Sequence, residues 1–556
     1  MKLGVIANMN IKIENRDKFR SLTILIVDDS KTSAILIRQQ INSLGTPHDN
    51  IDICSCYQDT IKHVRQRFYD ILILDYHLEQ CINGNELVSL LSKKKLLSPQ
   101  TGVIMISGDT RQETVLTVLS GKVQHFIKKP IQTHTLGVKI LSVREDQQAM
   151  VRSEQLIADT ELTQFNKVDE LGLIIDNSPS PILVESSVLE TIEDEQQWDL
   201  LSLVLQSSTT PMHMTKVSLM ASEYYHQGLV QQAIQLLEEH LAFNPLAHKV
   251  IDKLVDIYAR VDMPFEAANL AIRAFEFTPS IHDRMLTAAK LSVQVNNTSA
   301  LITIGKTFAN HVSIIDVSWI SGVIRYSNCI LAQLKKQPSI AVRKRLIQCM
   351  NLFFKVMKKR LTPSQLPFLT CAIHLFSAHL KIIQGKKTEA HQSLFKLISP
   401  HYSSFDKMPT VLLVYIIPLA DEFGEIWLSE YLLTTARARD LIDKQAREEL
   451  ASLTSDPHRT RQISSLKQNF ESARDALNSH DRRALTYYSE LLEHYPLCTE
   501  AQLGMLNANM RFNDQNHQSE EQLSLLMCHG LLPENWRKWL EEIKRSGATR
   551  SMPVAL

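Results

Sequence analysis

Five side chains stand where they could do chemistry together. Asp28 and Asp29 follow the apolar run Thr23–Val27, and Asp75 closes the run Ile71–Asp75. Ser107 follows Val103–Ile106, and Lys129 follows Gln124–Ile127 and Lys128. Three carboxylates gathered in one place repel, which disfavours their ionisation unless a cation joins them. Mg²⁺ is hard, takes oxygen ligands and suits phosphate chemistry, so Asp28, Asp29 and Asp75 fit it. A metal-bound Asp can serve as a carboxylate nucleophile on a phosphoryl group. The Ser107 hydroxyl and the Lys129 ammonium can compensate charge on the transferred group's equatorial oxygens. The product of that chemistry is an aspartyl phosphate.

Whether these residues meet depends on the elements between them. Thr23–Val27 is apolar and β-branched, as a strand buried on both faces of a parallel sheet requires. The next helix opens with Ser30 as its cap and offers Ile35, Leu36, Ile37 and Ile41 as an apolar face. Ile51–Cys54 is a weaker strand, and residues 58–68 have helical spacing at Ile61, Val64 and Phe68. Ile71–Leu74 is an unbroken apolar run, and Leu87, Leu90 and Leu91 mark a third helix. Val103–Ile106 is the next strand, Arg111–Ser120 the next helix, and Gln124–Ile127 the last strand before a helix to about Val143. Five strand–helix units in about 120 residues predict an α/β, doubly wound, flavodoxin-like sheet. Right-handed crossovers bring the C-terminal ends of its strands to one edge, where ligands bind.

The set Asp28-Asp29, Leu74-Asp75, Ile106-Ser107 and Lys129-Pro130 resembles the receiver domain of two-component response regulators, over residues 20–142. The resemblance implies that Asp75 is the phosphoacceptor, served by a histidine kinase or a phosphotransfer protein. It implies that Asp28 and Asp29 hold Mg²⁺ with Asp75, helped by the backbone carbonyl of His77. Ser107 and Lys129 become the switch hydroxyl and the phosphate-binding lysine, and Phe126 takes the aromatic switch position. Two features depart from the pattern. Glu79-Gln80 stands where the family commonly has Pro-Gly, and Asn83-Gly84 arrives one residue late, so the loop carries an insertion. His77 and Asp109 lie two residues beyond the acceptor and the switch hydroxyl, positions that influence phosphate lifetime in the family. Lys128 alternates to the face opposite Lys129 and is expected in solvent.

Residues 143–205 read as an acidic linker with some helical content. Between Glu154 and Asp199 the only base is Lys167, and Ser178-Pro179-Ser180-Pro181 interrupts the stretch. Leu171–Ile175 and Pro181–Val184 are apolar enough to dock. A solvated hinge is one expectation. A tether lying on a basic surface and released by phosphorylation is the other.

Residues 206–556 read as an α-helical solenoid of tetratricopeptide (TPR) type. Tyr224, Ala233 and Pro245 recur 34 residues later as Tyr258, Ala267 and Pro279. That period marks helix–turn–helix repeats, in which small Ala lets two helices approach and Pro ends the second. Gly385 with Ala390, and Ala484 with Pro496, repeat parts of the spacing, while His240 stands where the family prefers Ala. Trp536, Trp539 and Leu540 suggest a capping helix before a disordered tail. Such solenoids bind peptides or helices on a concave surface.

Composition narrows the classes. The 556 residues carry 60 basic and 60 acidic side chains, so total charge argues neither for nucleic acid nor for an anionic membrane as a partner. Eight cysteines show no ligand-like pairing. Strand alternation places Cys54 and Cys56 on one face of a strand, but no second pair follows, so the cysteines are expected as buried or half-buried thiols in a reducing cytosol. Met1–Arg20 lacks the apolar core of a signal peptide, and the run Val411–Ala420 is too short to span a bilayer. A cytoplasmic protein off the membrane is expected. The helical half shows no nucleophile–base set and no glycine-rich phosphate loop, so an output enzyme is not expected. The first expectation is a phosphorelay regulator that switches protein binding in the TPR groove, modulating a partner kinase or regulator. In architecture this resembles VieB-type auxiliary regulators, and a homodimer is compatible with it. The alternative is a DNA-binding regulator with a helix-turn-helix within residues 300–470.

Overall fold

The computed structural model describes residues 17–78, 83–108, 125–279, 281–312, 314, 319–336, 338–439, 443–512, 530–546, 552, 553 and 555. The chain forms two compact units. One comprises residues 1–300 with 311–316, the other residues 301–310 with 317–556.

The first unit begins with five strands: β1 (Ile24–Val27), β2 (Ile51–Cys54), β3 (Ile71–Asp75), β4 (Gly102–Ser107) and β5 (His125–Lys128). They form one parallel sheet in the order β2-β1-β3-β4-β5, the doubly wound arrangement predicted. Ile71 to Leu74 are buried, and each such aliphatic side chain stabilises the fold by roughly 1.5–3 kcal/mol. Helix α1 (Lys31–Leu44) and the start of α4 (Thr133–Ala158) cover one face, with Ile37, Ile41, Leu136 and Ile140 in that core. Helices α2 (Tyr57–Gln66) and α3 (Gly84–Lys93) cover the other, with Leu87 and Leu91 packed on Leu72 and Leu74.

The buried face of α1 is Ala34, Ile37 and Ile41, while Ile35 and Leu36 are exposed. A helix turns about 100° per residue, so three consecutive isoleucine and leucine residues cannot share one face. The expected helix Arg111–Ser120, Gln124 of the last strand, the Glu79-Gln80 loop and Asp109 lie outside the described residues.

Helix α4 runs unbroken through Val143, where a boundary was expected. Its second half packs on α5 (Gln164–Asp176) and α6 (Pro181–Asp194). With α7 (Trp198–Ser207) these helices enclose their own core, including Met150, Leu171, Val184, Leu189 and Leu201. The acidic stretch is therefore folded. Its apolar positions recur every three or four residues, and most of its carboxylates face outward. Glu185 is a buried exception, accepting from His213 Nε2 at 2.7 Å and from the Ser208 and Thr210 hydroxyls. Burial acts to raise this carboxyl, yet those donors and nearby Lys216 hold it below the usual range.

Helical hairpins follow: α8 (Met214–His226) with α9 (Val230–Phe243), α10 (His248–Arg260) with α11 (Pro264–Phe277), then α12 (His282–Gln294). Ala233 and Ala267 are fully buried, and Tyr258 is buried beside them, as close helix packing requires. The turns share a backbone device. Gly228, Asp262 and Asn296 have φ of +81°, +59° and +57° at 34-residue spacing, preceded by Gln196 at +57°. Beyond each, an amide donates to the carbonyl five residues back: Leu229 to Tyr224, Met263 to Tyr258, Asn297 to Ser292, Gln197 to Ile192. These are Schellman closures, which satisfy carbonyls at a helix end.

In the second unit, α13 (Thr298–His311, whose first residues belong to the first unit) is followed by α14 (Trp319–Lys335) and α15 (Ile340–Arg360). Then come α16 (Leu366–Ile383), α17 (Lys387–Ile398), α18 (Thr410–Glu422) and α19 (Ile426–Arg437). The unit continues with α20 (Lys444–Ser455), α21 (Pro457–Asn478), α22 (Arg483–His494), α23 (Thr499–Phe512) and α24 (Glu534–Ser546). The same turn recurs at Gly385, Gly424 and His480. Val411–Ala420 falls in buried α18. Among the described residues, α16 alone is long and apolar enough to cross a membrane. The expected capping helix is α24, with Trp536 and Leu540 buried. Residues 547–551 of the tail lie outside the described residues, and Trp536 Nε1 donates to the Pro553 carbonyl.

Candidate functional site

Parallel register sets the site. Val27 lies opposite Leu74, Asp75 opposite Ile106, and Ser107 opposite Lys128. The residues after β1, at the end of β3, at the end of β4 and after β5 therefore converge at the C-terminal edge of the sheet. The Lys129 amide donates to the Ser107 carbonyl at 2.9 Å, which fixes the lysine beside the hydroxyl.

Lys129 Nζ is 2.7 Å from Asp75 Oδ2 and 3.1 Å from Asp28 Oδ2. Asp28 is also held by the Ser30 amide at 2.9 Å and the Ser33 hydroxyl at 2.6 Å. Ser33 was not singled out in the sequence, although its place one turn into α1, on the face of the Ser30 cap, is a readable signal. On Asp75 the other oxygen, Oδ1, accepts only a long 3.4 Å bond among those resolved, from the His77 amide. Asp28 and Asp75 are buried and Ser107 is fully so.

Burial raises the Asp75 carboxyl above the usual carboxylate range, Asp28 adds to this, and Lys129 offsets only part of it. Burial alone would lower the Lys129 ammonium, but Asp75 and Asp28 hold it above its ordinary value. The Asp75 shift thus comes first from burial, and the Lys129 shift from the two carboxylates that share it. Asp28, Asp29 and Asp75 offer oxygens within 4.8 Å of one another. Three convergent carboxylates, two of them buried and short of cations, fit a hard divalent cation such as Mg²⁺.

Phe126 is half-buried on β5, packed against the α2 and α3 face of the sheet. Lys128 and His77 are exposed. Gly84, noted in the sequence only as half of a late Asn-Gly pair, has a packing role here. Its amide donates to the Tyr76 carbonyl at 2.9 Å. A Cβ there would lie 2.5 Å from the Asp75 carbonyl oxygen and 2.7 Å from Met105 Sδ. Only glycine lets α3 start this close to the end of β3. Asn83 caps that helix in a reciprocal box with Glu86. The late Asn83-Gly84 pair thus seats α3 against the end of β3.

Residues 24–141 match the family described as response regulator receiver domain. Among solved structures, the chain is similar to NtrX from Brucella abortus, crystallised in complex with ATP: 19% identical, covering 31% of this chain and 41% of that one, TM-score 0.22. It is similar to DrrB, an OmpR/PhoB homologue from Thermotoga maritima: 13% identical, 31% and 88% covered, TM-score 0.20. A third is RcsB from Salmonella enterica serovar Typhimurium, bound to promoter rprA: 12% identical, 33% and 98% covered, TM-score 0.19. Among curated proteins, none matches this chain. Residues 24–141 are a response regulator receiver domain.

Proposed function

We propose that Asp75 is the phosphoacceptor of a two-component phosphorelay and that the helical hairpins, as TPR-like repeats, carry the output by binding protein. The carrying observation is the lysine bridge: Lys129 Nζ lies within 3.1 Å of both Asp75 and Asp28, at the edge where Ser107 is buried. In this reading Asp75 Oδ1, the less engaged oxygen, attacks phosphorus, and the bond to the donor breaks. When the donor is a histidine kinase or a phosphotransfer protein, the leaving group is an imidazole nitrogen. Mg²⁺, held by Asp28, Asp29, Asp75 and the His77 carbonyl, would supply charge neutralisation for the phosphoryl oxygens. Lys129 passes from the Asp75 carboxylate to a phosphoryl oxygen, Ser107 donates to another, and Phe126 moves inward behind it.

The route to the helices is supported by a run of contacts beside Phe126. His125 on β5 has Nε2 3.9 Å from Asp146 Oδ2 on α4, and Asp146 Oδ1 accepts from the Ser180 amide at the start of α6 at 2.9 Å. Movement of β5 would thus reach α6 through one buried carboxylate. The test is Mg²⁺-dependent labelling of the full chain by acetyl phosphate. Labelling is expected for wild type and lost in Asp75→Asn, and labelling that survives Asp75→Asn sinks the assignment. Affinity capture with and without beryllofluoride, a phosphoryl mimic, tests the output. Captured proteins that never change with the mimic remove the switch.

A further inference from the structure

Total charge conceals a separation. From Val317 to Thr388 there are thirteen Lys and Arg and no Asp or Glu. At the chain's average of 60 acids in 556 residues, a stretch of 72 would carry about eight. Residues 143–205 are the mirror image, with fourteen acids against three bases. Both stretches are folded, so the imbalance belongs to defined surfaces.

The basic surface is the outward face of α15. Lys344, Arg345, Lys355 and Lys359 lie on it, all exposed. None of the four is within ion-pair distance of a carboxylate among the described residues. On the same face Ile340 is 85% and Leu352 47% exposed. The opposite face of α15 is spent on the core through Leu346, Met350, Phe353 and Met357. The acidic surface is the outward face of α5. Asp169, Glu170 and Asp176 are exposed there, interleaved with Phe165 at 72% and Leu173 at 63%. Asp169 and Glu170 have no cationic partner among the described residues. The inner face of α5 is again spent, on Leu171 and Ile175.

We propose that the basic face of α15 docks the acidic face of α5 in a second copy of this chain. Each face carries charge of one sign together with large exposed apolar side chains, and each supplies what the other lacks. Phosphate-backbone binding would use the cations but not Ile340 and Leu352. A protein surface with acids and an exposed Phe and Leu uses both. Every copy carries both faces, so a two-fold pair of copies would make this contact twice. Exposed apolar groups interleaved with charged ones along both helices give such an interface apolar contact as well as charge specificity. The charged pairs set orientation and make association sensitive to salt.

The experiment is sedimentation velocity of the full chain at micromolar concentration, in low and high salt. Wild type is expected to dimerise in low salt and dissociate in high salt. Lys344→Glu with Lys355→Glu sets acid against acid, and Asp169→Lys with Glu170→Lys sets base against base. Each pair is expected to weaken association by about 100-fold or more, since like charges juxtaposed at an interface cost several kcal/mol. Mixing the two variants re-creates opposite charge at both contacts, so a heterodimer is expected to return. That recovery also excludes misfolding of either variant and any contact within one chain. A monomeric wild type in low salt overturns the proposal, as does association indifferent to either charge reversal, or a mixture that stays monomeric. A monomeric wild type that instead binds duplex DNA or phosphatidylserine vesicles through Lys344 and Lys355 assigns the face to another polyanion and equally overturns it.

Discussion

Replacing Gly84 by alanine should damage phosphorylation without touching any charged group of the site. The new Cβ would lie 2.5 Å from the Asp75 carbonyl oxygen, against an ordinary contact of 3.4 Å. The start of α3 and the end of β3 must therefore separate by about 0.9 Å, and the obstacle is backbone, not a side chain that can swing away. Overpacking of this kind costs about 1–3 kcal/mol. The chemical consequence is larger than the thermodynamic one. Asp75 is the end residue of the displaced strand, and a misplacement near 1 Å lowers a positioned reaction by up to about 100-fold. The assay is the initial rate of Mg²⁺-dependent labelling by acetyl phosphate, beside a urea melt of the same protein. The control is Gly108→Ala, one residue past Ser107, where a Cβ meets nothing within 4 Å among the described residues. That variant should label and melt as wild type. A Gly84→Ala protein that labels at the wild-type rate, or a Gly108→Ala protein equally impaired, would refute the idea that α3 seats Asp75, the proposed acceptor.

Two further outcomes are expected. His125 is buried on β5 and pushed down to about 4, chiefly by burial with Lys139 adding to it. Its neutral form is the one the fold accepts, so the unfolded chain takes up a proton first, near 6.5. Stability is whole above that value and is lost as pH falls from 6.5 toward 4, by about 2 kcal/mol between pH 7 and pH 5. Urea melts at the two pH values should show the loss, and His125→Gln should remove that part of it. At Gly228 φ is +81° and a Cβ meets nothing within 4 Å among the described residues, so Gly228→Ala tests the left-handed backbone alone. It should destabilise by about 1 kcal/mol, whereas Gly172→Ala in the interior of α5 should stabilise by roughly 0.5–1 kcal/mol. Equal signs for the two, read by hydrogen exchange of α5, α8 and α9, would remove the turn argument.

The sheet and its edge were readable because strand-length apolar runs ending in Asp, Ser and Lys leave few other arrangements. Ser33 and Gly84 were not, since their roles depend on where a neighbouring helix starts, which no local pattern states. The stretch 143–205 reads as a linker because acidic composition usually means solvated chain. Leu171, Val184, Leu189 and Leu201 were enough to fold it, and composition does not weigh their helical spacing. The repeats beyond Pro279 were thin to a consensus that looks for Gly at the turn. Asn296 and His480, like Asp262 before them, hold the same left-handed conformation, which Asp, Asn and His adopt more readily than most residues, so identity varies where geometry does not. Net charge hid the acid-free stretch from Val317 to Thr388 for a simpler reason: an equal excess of acids elsewhere cancels it.

The unbroken α4 makes the receiver and the helices after it a problem of angular phase. Its 26 residues form a rod about 39 Å long, and a rod, unlike a flexible tether, conveys rotation. One residue inserted between Arg144 and Met150 would turn everything beyond it by about 100° and advance it about 1.5 Å. The Asp146 bond to the start of α6 would then face the wrong way. Seven inserted residues nearly complete two turns, so the rotational setting returns although the rod is about 10 Å longer. If phosphorylation is read out through α4, as proposed, such a rod would convey it as the angle at which the helices leave the sheet, and one-residue and seven-residue insertions would separate rotation from length.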